Sequence, residues 1–341
     1  IVIVAYTTLG GFLAASTTDF IQSIIMSVAL IVVLIFGVET AGGIGAVIHN
    51  ASELPGYLSM TLSYDVNTGK AAPYSALTIV STAAWGLGYF GMPHILLRFM
   101  AIEDEKKLKL SRRVATIWVV ISLFVAVFIG VIGYTMSKVG ALEMLTGSNS
   151  ETIIVKISAL LSQHGVIFAL LAGVILAGIL ASTMSTSDSQ LLAASSAVSS
   201  DILGAFRKDS SNKNGSMAAA RITLLVISVV AAFIARNPDS SVFAIVSFAW
   251  AGFGAAFGPV VLFSLFWKRT NKWGALAGMV CGGSMVFIWK YLIRPLGGIW
   301  NIYELLPAFL IACAAIVIVS LLTPKPSKEI EEEFDRVAQM K

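Results

Sequence analysis

Apolar residues fill long stretches of this chain, and polar residues are gathered in the segments between them. A helix needs about 20 mainly apolar residues to cross a bilayer core of about 30 Å. Eight stretches reach that length and predict complete membrane spans at 20–42, 74–102, 111–136, 166–190, 218–236, 241–267, 273–293 and 303–322. Residues 1–16 predict the end of a ninth. We therefore expect a membrane domain over 1–323 and a polar tail over 324–341.

The composition agrees with an all-α polytopic membrane protein. Of the 341 residues, 57% are hydrophobic and 12% are charged, and the mean hydropathy of +0.86 lies far above that of soluble domains. Cys281 and Cys313 lie in separate spans and are expected to be packed thiols. Three scattered histidines form no zinc motif, and no GxSxG nucleophile motif occurs, so we do not predict an enzyme.

The basic residues orient the predicted spans. Alternate loops and the tail carry 17 of the 23 Lys and Arg residues, and the remaining segments carry 6. Basic residues are concentrated in cytoplasmic loops, so this division predicts a cytoplasmic C-terminus. It also accounts for the net charge of +4, and we predict no nucleic-acid surface.

Residues 85–93, WGLGYFGMP, place three glycines and a proline inside a predicted span. Proline removes a backbone donor and glycine lowers the cost of leaving helical geometry. Such interruptions form solute and ion sites in transporters; the alternative is a proline kink whose glycines allow close helix packing. Trp85 and Tyr89, one helical turn apart, favour a site for a small solute with an apolar ring or chain.

Ten of the nineteen residues from 182 to 200 are Ser or Thr. Ser182, Ser185, Thr186 and Ser189 follow helical spacing and share one face. Hydroxyl and carbonyl oxygens with little net charge suit a hard monovalent cation, so this face predicts a Na⁺ site. The alternative is that small hydroxyl side chains permit tight helix packing or cap a helix end.

Two acidic residues and a third glycine-rich span leave alternatives open. Asp19 is either the N-cap of the 20–42 span or a partner of Asp188 and Ser189 at a second cation site or inner gate. The span 247–263 contains Gly252, Gly254, Gly258 and Pro259. This span could pack closely or bend, whereas the small residues of 274–282 are expected to serve packing alone.

Four segments, 10–22, 85–101, 182–198 and 248–267, closely resemble motifs of the bacterial sodium:solute symporters that transport proline. The resemblance implies a leucine-transporter-like inverted-repeat bundle and electrogenic uptake of L-proline with Na⁺ across the bacterial cell membrane. It implies solute contacts by Trp85, Tyr89 and Pro93, and Na⁺ ligation by Ser185, Thr186 and the carbonyl of Ser182. Asp19, Asp188, Ser189 and Arg98 correspond to an additional cation site or inner gate.

The family's first core helices have no counterpart in this chain. The resemblance implies that the first repeat is incomplete and ends near residue 42, while the second extends from 74 to 267. We therefore expect that this chain alone does not accumulate proline. Alternatives are a sodium symporter for another small organic solute and a transporter-like sensory membrane module. The sequence does not define the oligomeric state.

Overall fold

The computed structural model describes residues 2–206, 213–236 and 241–339. Over these ranges seven helices are long and apolar enough to cross a membrane, which confirms an all-α polytopic membrane protein. They account for seven of the eight predicted spans. The exception is 74–102, where the structure has two short α-helices separated by a 3₁₀ segment.

The described α-helices are α1 (Val2–Thr40), α2 (Ile44–Ser52), α3 (Ala76–Ala83), α4 (Pro93–Met100), α5 (Leu108–Lys138), α6 (Ile153–Leu161), α7 (Val166–Ser196), α8 (Leu203–Phe206), α9 (Lys213–Ile234), α10 (Val242–Phe266), α11 (Lys272–Ile288), α12 (Leu305–Leu322) and α13 (Lys328–Gln339). A 3₁₀ segment covers Ala84–Gly91, and π-helical turns extend α7 and α11. The chain divides into two compact units: unit 1 is Ile1–Ala72 with Ala101–Asp239, and unit 2 is Pro73–Met100 with Ser240–Lys341.

The core of unit 1 lies among α1, α2, α5, α6 and α7. Its most buried members include Val33, Ile132 and Ile175. Gly178 of α7 lets α1 approach closely, because a Cβ there would lie 2.6 Å from the Cβ of Ala29. Small residues at this contact let the two helix backbones lie close together, as is common between membrane helices.

A break at Gly11 divides α1, where φ is 59° and ψ is −149°. Only glycine adopts this backbone conformation without strain. The boundary predicted from the sequence near residues 17–19 was wrong, because the helix continues unbroken from the break to Thr40. Asp19 consequently lies inside a helix, and its interpretation as an N-cap is also wrong.

Strands β1 (Leu62–Asp65) and β2 (Lys70–Pro73) form a short β-hairpin. The sequence pattern did not predict it. Asp65 organises the turn, since its carboxylate accepts the amide of Asn67 at 2.9 Å and the hydroxyl of Thr68 at 2.8 Å. These hydrogen bonds lower the pKa of the Asp65 carboxyl. The residues Asp, Asn and Gly in DVNTG are the sequence signal for this turn.

The core of unit 2 lies among α10, α11 and α12. Gly274, Gly278 and Gly282 lie one turn apart on α11, and a Cβ at each would overlap Ser320, Ile316 or the backbone of Ala255. This confirms that the small residues of 274–282 serve packing. Cys281 and Cys313 are partly buried free thiols, as expected.

Glu304, at the start of α12, is 1% exposed and faces two basic side chains. Its carboxylate accepts a hydrogen bond of 2.8 Å from Arg294 and lies 3.8 Å from Lys290. Lys290 also lies over the ring of Phe248, with its Nζ 3.9 Å from the centroid. A buried carboxylate is tolerated only when it is paired in this way, so the three residues tie α12 to the end of α11.

We expect Glu304→Gln to lower the free energy of unfolding by about 2 kcal/mol, because the uncharged amide no longer pairs with the charges of Arg294 and Lys290 at this buried site. Arg294 and Lys290 are 39% and 27% exposed, so solvent limits the cost of leaving them unpaired. The apparent melting temperature of the purified protein measures the effect. Glu143→Gln is the matched control, because it removes an exposed pair with Lys156 and should change stability little. Equal melting temperatures for the two variants would contradict the prediction.

Candidate functional site

The predicted interruption at 85–93 is present in unit 2. The 3₁₀ segment Ala84–Gly91 is followed by Met92 in an extended conformation, with φ −82° and ψ 110°. Pro93 then begins α4, at the helical position where a missing N–H costs nothing. The extended Met92 is the conformation that a following proline favours. Pro93 therefore starts a new helix here rather than kinking an existing one.

Aromatic rings surround Trp85. Its ring is stacked against Trp250, Phe243 and Tyr303, at centroid distances of 5.4, 5.7 and 6.0 Å. Trp250 also meets Tyr89 edge to face at 4.8 Å, a preferred geometry for aromatic pairs. Its indole Nε1–H donates to the carbonyl of Trp85 at 2.9 Å. Trp250 thus connects both predicted solute residues to α10.

Glycines bring the 3₁₀ segment into backbone contact with α10. A Cβ on Gly88 would lie 1.9 Å from Nε1 of Trp250, and a Cβ on Gly91 would lie 2.4 Å from the carbonyl oxygen of Phe253. On α10, a Cβ on Gly254 would lie 2.7 Å from the Cα of Gly88. Close packing is therefore the role of these glycines. The helix is interrupted at 85–93 and the glycines also allow close packing, so the two interpretations are compatible. α10 itself remains helical through Pro259, so Gly254 and Gly258 serve packing.

The 3₁₀ geometry changes which residues share a face. With three residues per turn, Trp85, Gly88 and Gly91 lie on one face, and that face packs on α10. Tyr89 is rotated away from it and is 47% exposed. In an α-helix Trp85 and Tyr89 would be neighbours one turn apart, whereas in this 3₁₀ segment they lie about 120° apart around the axis. The structure still brings both to Trp250, whereas Pro93 lies one turn further along.

The hydroxyl-rich residues lie on α7 in unit 1, which is continuous from Val166 to Ser196. Ser185 Oγ and Thr186 Oγ1 both donate to the carbonyl of Ser182, at 3.0 and 3.3 Å. The three predicted Na⁺ ligands therefore form one cluster of oxygens. Ser182 and Thr186 are exposed and Ser185 is partly buried, so the cluster is accessible to an ion.

Asp188 lies on the neighbouring face of α7 and is 0% exposed. Its carboxylate accepts a hydrogen bond of 2.7 Å from the hydroxyl of Tyr6 and one of 3.2 Å from Ser189. Ser189 Oγ also donates to the carbonyl of Ser185 at 3.0 Å. Ser189 Oγ therefore connects the Asp188 carboxylate to the oxygen cluster.

The part of α1 that carries Asp19 lies beside this carboxylate. Thr18 and Gln22, on either side of Asp19 in the sequence, lie near the Tyr6 hydroxyl that binds Asp188. Gln22 is 7% exposed, and its Oε1 has no hydrogen-bond partner among the described residues. Asp19 is partly buried. This arrangement favours its interpretation as a neighbour of Asp188 and Ser189.

Arg98 lies in the last turn of α4, in unit 2, and is exposed. Its assignment to an inner gate stays a prediction.

Several residues of these clusters were not predicted from the sequence. In unit 2 they are Trp250, Phe243 and Tyr303, and in unit 1 they are Tyr6 and Gln22. Trp250 lies within the family-like segment 248–267, and its aromatic side chain could have identified it as a candidate solute contact. Gln22 likewise lies within a family-like segment, 10–22. Tyr6 carried no signal, because it precedes the break at Gly11 and its contact is with a distant helix.

Comparison with known proteins identifies the family of this chain. The sequence model of the sodium:solute symporter family matches residues 1–282. Similar proteins include the osmoregulated proline transporter and the high-affinity proline transporter of Bacillus subtilis, 38% and 39% identical over 96% and 98% of this chain. The sodium/proline symporter of Haemophilus influenzae is 40% identical over 98% of this chain. This chain spans 63%, 66% and 64% of the lengths of these three relatives. The chain belongs to the sodium:solute symporter family.

Proposed function

We propose that this protein is a secondary transporter that carries L-proline into the cell together with Na⁺. The observation that carries the proposal is the family membership, with relatives named as sodium/proline symporters that match nearly the whole chain. Those relatives are bacterial, and the seven apolar helices belong in a membrane. We place the protein in a bacterial plasma membrane, with its C-terminus in the cytoplasm as the basic residues predict.

The aromatic cluster of unit 2 is the proposed solute site. Trp85, Tyr89 and Pro93 supply apolar surface of the kind that suits a pyrrolidine ring. Trp250 and Tyr303 extend this surface and hold it in place. Tyr303 donates its hydroxyl to the carbonyl of Ser247 at 2.6 Å, and its amide donates to Ser81 at 3.1 Å, so its ring is fixed against Trp85.

The oxygen cluster of unit 1 is the proposed Na⁺ site. Ser182 O, Ser185 Oγ and Thr186 Oγ1 are neutral oxygen ligands, which suit a hard cation of single charge. A bound ion replaces the two hydroxyl hydrogen bonds to Ser182, since the same oxygens turn their lone pairs toward it. Asp19, Asp188, Ser189 and Arg98 are proposed to form a second cation site or an inner gate.

Transport requires no covalent step in this proposal. Na⁺ binding favours the conformation that accepts the solute, and solute binding raises the affinity for Na⁺ by the same factor. The gradient of Na⁺ then drives accumulation of the solute.

Uptake by proteoliposomes tests the function. The protein, expressed from its complete coding sequence, should accumulate radiolabelled L-proline under an inward Na⁺ gradient and not under a K⁺ gradient. A negative interior potential should increase uptake if net charge moves with proline. Na⁺-dependent uptake of another solute, with none of proline, would reject proline as the substrate. Uptake independent of Na⁺ would reject symport.

We expect Trp250→Phe to raise the KM for proline about fivefold, because losing one hydrogen bond costs about 1 kcal/mol. A smaller aromatic ring remains at this position, but the carbonyl of Trp85 loses its indole donor, so the position of Trp85 becomes less defined. Initial uptake rates at saturating Na⁺ measure the KM.

Trp289→Phe is the matched control for Trp250→Phe. Trp289 also donates its indole N–H to a backbone carbonyl of unit 2, that of Ile302 at 3.3 Å. Its ring contacts Trp300 rather than Trp85. The Trp289→Phe variant should keep the KM of the original protein. Equal KM values for the two variants would contradict the role given to Trp250.

A further inference from the structure

The polar tail contains a helix, α13 (Lys328–Gln339), with two different faces. Five acidic residues and two basic residues give it a net charge of −3. Ile330, Phe334 and Val337 follow helical spacing and form an apolar stripe. Ile330 and Val337 are 56% and 53% exposed and Phe334 is partly buried, so the described part of the chain leaves most of this stripe uncovered.

Contacts with one loop hold α13 beside the ends of the membrane helices. The loop 267–271 connects α10 to α11. Its Asn271 donates to the hydroxyl of Thr323 and to the carbonyl of Pro324, both at 2.8 Å, just after α12 ends. Its Lys268 pairs with Asp335, two turns into α13.

The pairing restricts the direction in which α13 runs. Both the residue that follows α12 and a residue near the middle of α13 contact the same short loop. A helix that projected straight away from the bilayer would carry Asp335 out of reach of that loop. The hydrogen bond to Asp335 raises the pKa of Lys268, and the charge of Glu331 acts in the same direction. Glu331 and Asp335 therefore form the face of α13 directed at the loop.

The apolar stripe lies about a third of a turn from this loop-facing side, by the 100° rotation between successive residues of an α-helix. Helices of about twelve residues are marginal in water and depend on burial of an apolar face. At the level where spans leave the membrane, the available apolar environment is the boundary between headgroups and acyl chains.

We propose that α13 lies along the bilayer surface with Ile330, Phe334 and Val337 inserted among the lipids, and that Lys268 anchors it there. Lys325 and Lys328 precede or begin the helix and suit lipid phosphates, because lysine can extend its ammonium into the headgroup layer. The acidic face is repelled by anionic lipids. The pairing with Lys268 offsets that repulsion at the loop.

Spin labels on single cysteines test this placement in the full protein, reconstituted in phosphatidylcholine nanodiscs. Cys281 and Cys313 are first replaced by Ala, and size-exclusion profiles verify that this background is folded. Labels are placed at Ile330 and Val337 on the apolar stripe, and at Glu332 and Gln339 on the opposite side as controls. Oxygen concentrates in lipid, whereas a neutral nickel chelate remains in water, so their relative accessibilities report depth.

The expected result is a higher oxygen-to-nickel accessibility ratio at 330 and 337 than at 332 and 339. Equal ratios at all four positions, with high access to nickel, would mean that α13 projects into water and would overturn the proposal. Low access to both reagents at 330 and 337 would also overturn it, because it would mean that protein covers the stripe.

A charge exchange tests the anchor separately. Lys268→Glu should lower the oxygen-to-nickel ratio at residue 337, since the introduced carboxylate repels Asp335 and Glu331. Adding Asp335→Lys restores an attractive pair and should return the ratio toward its original value. An unchanged ratio in Lys268→Glu, or no recovery in the double variant, would overturn the anchoring role of Lys268.

Discussion

Gly88→Ala should abolish proline uptake and lower the free energy of unfolding by about 3 kcal/mol, the upper end of the usual cost of overpacking. The new Cβ would lie 1.9 Å from Nε1 and 2.4 Å from Cδ1 of Trp250. The indole is a rigid group held between two rings, so it cannot avoid the methyl group by a small torsional change. Its displacement breaks the hydrogen bond to the carbonyl of Trp85 and separates the stacked rings.

Gly86→Ala is the matched control within the same 3₁₀ segment. Its Cβ would meet nothing within 4 Å. Gly86 and Gly88 both have a negative φ, so alanine is compatible with the backbone at both positions. Both substitutions gain the same helical preference, about 1 kcal/mol in an α-helix, and the difference between them isolates the contact with Trp250.

Apparent melting temperature and uptake rate measure the two effects together. We expect Gly86→Ala to retain uptake and stability, and Gly88→Ala to lose both. Removing the indole tests the cause, because Trp250→Ala in the Gly88→Ala background should recover part of the lost stability. Full uptake by Gly88→Ala would mean that the packing of Trp250 on the 3₁₀ segment does not define the solute site.

The interruption at 85–93 was predictable because glycine and proline act on the backbone locally. The form of the interruption was not predictable, since it depends on α10. Gly88 and Gly91 allow backbone contact with Gly254 and its neighbours, and this contact favours a 3₁₀ segment over a kinked α-helix. Local residues therefore set the place of the break, and packing sets its geometry.

The start of the chain was predicted less well for a related reason. The polar residues at 16–19 resemble a boundary between spans, yet α1 continues through them. The hydroxyls of Thr17 and Thr18 donate to carbonyls of their own helix, as Thr17 does to Leu13 at 2.9 Å, and polar residues satisfied in this way do not end a helix. Gly11, the glycine of α1 that has a positive φ, marks the break instead.

The oxygen cluster on α7 was predictable because helical spacing alone places Ser182, Ser185 and Thr186 together. The buried contact of Asp188 with Tyr6 was not, since the two residues are 182 positions apart. Spacing within one helix identifies a face, but it does not identify the partner helix. Trp250 and Tyr303 were missed on the same grounds.

Removing the hydroxyls of Ser185 and Thr186 should weaken Na⁺ binding far more than proline binding. Each alanine substitution is expected to raise the Na⁺ concentration for half-maximal uptake about tenfold, since a lost contact to a charged partner costs about 1.5 kcal/mol. The double variant should raise this Na⁺ concentration about a hundredfold if the two contacts are independent. Uptake measured across a range of Na⁺ concentrations, at fixed proline, gives these values.

Ser187→Ala is the matched control, because Ser187 also donates to a carbonyl of α7, that of Thr183 at 2.8 Å, but lies on another face. It should leave the Na⁺ dependence unchanged, and so should Thr186→Ser, which keeps a hydroxyl at the site. At saturating Na⁺ the variants should regain the KM for proline of the original protein, because the solute contacts lie on other residues. An equal loss in Ser187→Ala would assign the effect to helix packing, and unchanged Na⁺ dependence in Ser185→Ala and Thr186→Ala would remove these residues from the ion site.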